Sequence, residues 1–203
     1  IDNAESVELI QKEKTAIIKK SGLLEFYDCK EDMGSVGGLD LLKVWLKKRQ
    51  KGYSKEAREY GLPYHKGILL AGVPGCGKSL TAKAIAREYG LPLLKFDIGK
   101  VFGSLVGMSE ERMRQVIQLI DTVGMSVVWI EEIEKGLAGV SSSGHTDSGV
   151  TARVLSTLLT WLGEKRSPAF IVATANDIQK IPAEFVRKGR WDELFFVNLP
   201  TPL

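Results

Sequence analysis

Ile68-Leu69-Leu70-Ala71-Gly72-Val73-Pro74-Gly75-Cys76-Gly77-Lys78-Ser79 is the stretch on which the fold of this chain turns. The unbroken apolar run Ile68–Ala71 reads as a buried strand. Gly72 to Ser79 matches G-x-x-x-x-G-K-[ST]. Ser79–Tyr89 then places Ala82, Ile85, Ala86 and Tyr89 at i, i+3, i+4, i+7, the period of an amphipathic helix. Strand, glycine-rich loop and helix in that order make a phosphate-binding loop. The glycines let backbone N–H groups wrap an anion, and the helix N-terminus adds partial positive charge. Pro74, Gly75, Cys76, Gly77, Lys78, Ser79 and Leu80 are the expected nucleotide contacts. Lys78 is expected to reach the β and γ phosphates and Ser79 to ligate Mg²⁺. Cys76 reads as a small packed residue, since no His lies near it in sequence.

Outward from this loop, apolar runs alternate with helical ones. Leu93–Asp97, Ser126–Ile130, Ala169–Thr174 and Leu194–Val197 join Ile68–Ala71 as five strands. Glu110–Val123 and Val150–Leu162 carry helical periodicity, and Asp40 to Tyr60 reads as one helix with Leu42, Trp45 and Leu46 on one side. Alternation of this kind predicts an α/β fold, a five-stranded mainly parallel sheet between helices, with ligands at the carboxyl ends of the strands. Residues 1–33 read as a partly helical lead-in. Residues 34–203 form the nucleotide-binding unit.

Chemistry is expected at two further strand ends and in one loop. Val127-Val128-Trp129-Ile130 runs into Glu131 and Glu132, which suits Glu131 to holding Mg²⁺ through its water shell and Glu132 to activating water. The bland alternative is a solvated strand end, with Glu134 and Lys135 continuing an exposed helix. Ile171-Val172-Ala173-Thr174-Ala175 ends in Asn176, whose amide can donate to a γ-phosphate and accept from a lytic water. Asn176-Asp177 is equally turn chemistry. Arg187 and Arg190 have the planar fork that reads a phosphate, and one supplied from a neighbouring subunit accelerates phosphoryl transfer. The alternative is a surface cluster paired with Glu184 and Asp192.

Composition agrees with an ordinary globular chain. It carries 28 Lys+Arg against 25 Asp+Glu, a net charge of +3, and is 44% hydrophobic. This excludes low-complexity and charge-driven disorder. No apolar run is long enough to span a bilayer. Lys47-Lys48-Arg49 and Lys51 read as a solvated helix face rather than a nucleic-acid site. Cys29 and Cys76 form neither a metal-site spacing nor a disulfide framework, as in a reducing compartment. The chain begins with Ile1 and reads as a piece of a longer protein.

In their order along the chain, the loop Gly72–Ser79, the pair Glu131–Glu132, Asn176, and Arg187 with Arg190 resemble the AAA (AAA+) family of ATPases. The likeness is greatest to the AAA proteins of cyanobacteria and plastids. It runs from about Val36 to Pro202. Val36-Gly37-Gly38-Leu39 resembles the segment that opens the family's ATPase domain, which implies that Val36 and Gly37 lie against adenine. Arg153-Val154 followed by Leu158-Leu159-Thr160 resembles the helix after the acidic strand. Ala173–Asp177 resembles the sensor segment. Arg187-Lys188-Gly189-Arg190-Trp191-Asp192 resembles the family's second region of homology, whose arginines act across a ring interface.

The resemblance implies ATP and Mg²⁺ as ligands and a homo-oligomeric ring, possibly a hexamer. It further implies an unidentified protein substrate that is remodelled, and a cytoplasmic or plastid-stromal setting. Neither membrane nor nucleic acid is an expected partner. Three features depart from the family's pattern. Glu131 stands where Asp is usual. Ser104-Leu105-Val106-Gly107 puts Leu105 where a pore-loop aromatic is usual, with Phe102 nearby. The helical lid that follows the sheet is expected beyond Leu203, outside this sequence. The loop Gly136–Gly149, with His145, is expected near the centre of a ring. Two other readings stay open: an ATP-gated scaffold with little turnover, and a monomeric P-loop kinase.

Overall fold

The computed structural model describes residues 13–102, 108–136 and 148–199. Helix α1 (13–21) leads into β1 (Leu24–Tyr27), and α2 (Asp40–Gln50) and α3 (Lys55–Glu59) precede β2 (Gly67–Ala71). Then follow α4 (Lys78–Tyr89), β3 (Leu93–Phe96), α5 (Gly99–Phe102), α6 (Met108–Val123) and β4 (Val127–Ile130). The short α7 (133–136), α8 (Ser148–Glu164), β5 (Phe170–Ala175), α9 (Ala183–Val186) and β6 (Glu193–Phe196) complete the described chain. Ser104 to Gly107, with Leu105, lies outside the described residues, as does His145.

The sheet order is β1-β3-β4-β5-β2-β6. Among the described residues only the β1–β3 pair is antiparallel; the other four are parallel. Ile68 and Leu70 face one core with Leu42 and Leu46 of α2 and Ala82, Ile85 and Ala86 of α4. Leu69 faces the other, with Met113, Val116 and Ile120 of α6 and Val154, Leu155 and Leu158 of α8. Burial on both faces explains why β2, β4 and β5 are almost wholly apolar rather than alternating, Thr174 of β5 being the exception. At Gly67 (φ 142°) the backbone runs so close to β5 that a Cβ would collide with the Ile171 carbonyl.

Two expectations are corrected. The sheet has six strands, not five: β1 lies inside the segment read as a lead-in, with Leu24 buried opposite Phe96. Four residues at a sheet edge give too short an alternation to stand out from the loose helical spacing before them. The helix expected over Asp40 to Tyr60 is two helices. A 3-10 turn (Lys51–Tyr53) interrupts it where Gly52 presses against the His65 imidazole. Ser54 then starts α3 by accepting the Ala57 N–H (3.2 Å).

The register decides where the site lies. Ile130 pairs with Ala173, and Ala71 with Ala175. The residues that follow β2, β4 and β5 therefore emerge side by side at one edge of the sheet, as the rule for parallel sheets requires.

Candidate nucleotide site

Gly75 (φ 82°) and Gly77 (φ 91°) turn the loop in a conformation that side chains disfavour. Gly77 is also the residue that caps α4, so the helix begins with its free N–H groups facing the loop. Lys78 is nearly buried, 6% exposed, and its ammonium is spent inside the loop. It donates to the carbonyls of Gly72 (2.6 Å) and Val73 (2.7 Å) and reaches the Cys76 sulfur at 3.5 Å. Cys76 is buried in the core beside α4, as a packed residue should be.

A cavity of about 310 Å³ lies over this loop. Pro74, Gly75, Gly77, Lys78, Ser79, Leu80, Glu131, Glu132, Thr174 and Asn176 line it. The structure thus brings together the loop, both acids of β4 and the amide after β5. Ser79 Oγ donates to Glu131 Oε1 (3.2 Å), and Glu131 Oε2 pairs with Lys95 Nζ (2.6 Å). The Ser79 hydroxyl and the Glu131 carboxylate form an oxygen donor set of the kind hard Mg²⁺ takes. Among the described residues no group of three His, Cys, Asp or Glu makes a metal site. A Mg²⁺ ion here would take Ser79 as its protein ligand, with phosphate and water oxygens completing the shell.

Glu132 sits in left-handed backbone (φ 47°), unusual for a residue with a side chain. Three hydrogen bonds between the ends of β4 and β5 hold it there. Its N–H donates to Thr174 Oγ1 (3.2 Å), Asn176 Nδ2 donates to its Oε1 (2.8 Å), and Asn176 N–H donates to Glu134 Oε1 (3.0 Å). The second Glu132 oxygen pairs with Lys135 one turn on. The Lys135 hydrogen bond, the Asn176 amide and the nearby Lys135 and Lys78 charges hold the Glu132 carboxyl below the usual carboxylate range. Ionised and aimed by an amide, it can accept a proton from water.

Four residues that shape the site were not singled out by sequence reasoning. Thr174 was read as part of an apolar strand, yet its hydroxyl fixes the Glu132 backbone. Glu134 and Lys135 enter the sequence reading only in its bland alternative, as an exposed helix. Lys135 is exposed, but Glu134 is buried, 6% exposed, and braces Asn176. Lys95 interrupts an apolar strand, and that charge in a buried run was the available signal.

Five predicted residues do not line the cavity, Cys76 among them, since its side chain is packed in the core. The Val36 carbonyl accepts Lys43 Nζ (2.5 Å), and Val36 is buried beside the turn Met33–Ser35, which packs on α4; Gly37 is exposed. Arg187 is exposed. The Arg190 guanidinium is drawn onto its own chain, donating to the Leu159 carbonyl and lying against Gly163 of α8. Nor does Asp192 pair with the arginines: it accepts the Gly67 N–H (2.7 Å) and faces His65.

Comparison with known proteins agrees with this geometry. Residues 68–199 match the model of the ATPase family associated with various cellular activities (AAA). The AAA domain-containing protein ycf46 of Guillardia theta is 52% identical over 98% of this chain and 39% of its own length. That of Pyropia yezoensis is 50% identical over 98% of this chain and 40% of its own. The nuclear valosin-containing protein-like protein of Mus musculus is 37% identical over 71% of this chain and 17% of its own. The chain spans about two fifths of the length of the ycf46 proteins it matches. From the strand–loop–helix at Gly67–Tyr89 to the acidic strand end, fold and family match coincide, and the chain belongs to the AAA family of P-loop ATPases.

Proposed function

We propose that this chain binds ATP with Mg²⁺ and hydrolyses it within a homo-oligomer, and that turnover drives remodelling of a protein partner. The observation that carries the reading is the meeting of Lys78, Ser79, Glu131, Glu132 and Asn176 around one cavity. The loop N–H groups hold the phosphates, and Lys78 exchanges its loop carbonyl partners for phosphate oxygens when ATP binds. Ser79 and Glu131 would hold Mg²⁺, which would supply neutralisation of phosphate charge. Glu132 takes a proton from the attacking water, and Asn176 orients both the water and the carboxylate. Arg187, exposed and engaged with no side chain among the described residues, is the arginine free to act on a neighbour's ATP. Arg190 is tied to α8 and positions that segment.

A second reading is favoured by one observation. Both acids are ion-paired with lysines, Glu131 with Lys95 and Glu132 with Lys135, as in an ATP-gated scaffold of low turnover. Either reading suits a cytoplasmic or stromal protein. The test is phosphate release against protein concentration, with the full-length protein and Mg²⁺. Specific activity that climbs with concentration supports a ring whose arginines act between subunits. Tight ATP binding with flat, negligible turnover would replace it with the scaffold.

A further inference from the structure

Lys95 is a charged residue inside a strand whose neighbours Leu93, Leu94 and Phe96 are all buried. Its register partner on β4 is Trp129. The ammonium lies over the Trp129 ring, 4.8 Å from its centroid, and ends 2.6 Å from Glu131 Oε2. Lys95 and Glu131 keep only 29% and 32% of their side-chain surface in solvent, so water screens the pair less than it would on an open surface. The other groups around Glu131 are the Ser79 hydroxyl of α4 and, by longer-range attraction, Lys135 of α7. Lys83 of α4 approaches the same Trp129 ring at 6.0 Å but pairs with Glu31.

We propose that Lys95 is a built-in counter-cation of the phosphate site: it balances Glu131, so that the loop binds a nucleoside triphosphate with little dependence on Mg²⁺. The inference rests on the ATP reading above. A carboxylate beside a triphosphate repels it, and that repulsion must be neutralised by a metal or by the protein. Lys95 does so permanently, and it competes with metal-bound water for the same carboxylate oxygen. Glu131 is long enough to reach Ser79 with one oxygen and Lys95 with the other. Lys95 is thus a positioning residue for the metal-side acid.

The test is ATP affinity of the full-length protein by calorimetry, in EDTA and in saturating Mg²⁺. Wild type is expected to bind in both. Lys95→Met keeps the apolar stem over Trp129 and removes the charge. It is expected to lose roughly tenfold or more of the metal-free affinity, the scale of one charge pair in a partly buried site, and to keep its Mg²⁺ affinity. Lys95→Arg should retain the wild-type ratio. Adding Glu131→Gln to Lys95→Met should restore metal-free binding, because no carboxylate is then left to repel the triphosphate. A Lys95→Met variant that loses affinity equally in both conditions, or in neither, would overturn the inference alone. Absence of ATP binding by the wild type in Mg²⁺ would overturn the nucleotide reading and the inference with it.

Discussion

Thr174→Val should damage the site without touching a phosphate contact. Thr174 is 1% exposed, and its Oγ1 accepts the Glu132 N–H at 3.2 Å. Valine has the same shape and no acceptor. Because Glu132 sits at φ 47°, its N–H is turned away from the strand ladder and toward that hydroxyl. Leaving a buried donor unsatisfied costs about 1–3 kcal/mol. Relief of strain as Glu132 relaxes toward ordinary backbone offsets part of this, of order 1 kcal/mol. The net expectation is a loss of stability of up to about 2 kcal/mol, a fall in melting temperature of up to roughly 8 °C for a domain of this size. Relaxation also carries the carboxylate away from Asn176. Phosphate release should therefore fall by about tenfold or more, the scale of a mispositioned general base, while ATP affinity, anchored by Lys78, changes little. Thermal denaturation, calorimetry and phosphate release read the three effects, and Thr174→Ser should restore them. Unchanged stability together with unchanged turnover would refute the claim that the β4–β5 hydrogen bonds aim Glu132.

The two arginines should separate. Arg187→Ala should lower turnover of the assembled protein without weakening ATP binding or stability, whereas Arg190→Ala should destabilise the fold by about 1–3 kcal/mol, as loss of a charged group's hydrogen bond does; equal behaviour in both assays would count against the distinction. Lys135→Ala removes the main cause of the lowered Glu132 pKa, so the carboxyl should titrate nearer its ordinary value. A lowered carboxyl adds stability above its unfolded pKa and loses it as pH falls through the folded one. Activity and fold should both fail at a higher pH in this variant, and a pH–rate profile whose acid limb does not move upward would contradict the assignment. Gly67→Ala should destabilise by more than about 2 kcal/mol, because the collision is with backbone in the middle of a sheet and cannot be relieved by a rotamer change; a denaturation midpoint close to wild type would show that β2 and β5 can part.

Much of the molecule was readable from residues alone, and the reason is physical. Strands buried on both faces must be continuously apolar, so β2, β4 and β5 appear as runs such as Val127 to Ile130. A phosphate loop needs glycines at fixed offsets before Lys78, and its motif is local. Less legible were features that arise only when distant segments meet. Thr174 acquires its role from a residue 42 positions away, and Glu134 from one at the same separation. Arg190 looks like a phosphate reader until α8 supplies the Leu159 carbonyl. The short edge strand β1 lacked the length that makes a period visible. The break in the helix after Gln50 was written in Gly52 and Ser54, but the strong helix formers on both sides, Lys47 to Gln50 and Lys55 to Glu59, masked it.

The central claim is that Glu132 activates water at a phosphate site built on Lys78. The most direct measurement is Mg²⁺-dependent phosphate release by wild type, Lys78→Ala and Glu132→Gln, each alongside its ATP affinity in the full-length protein. The account predicts turnover in wild type only, with ATP binding lost in Lys78→Ala and retained in Glu132→Gln. Hydrolysis at the wild-type rate by Glu132→Gln would contradict it.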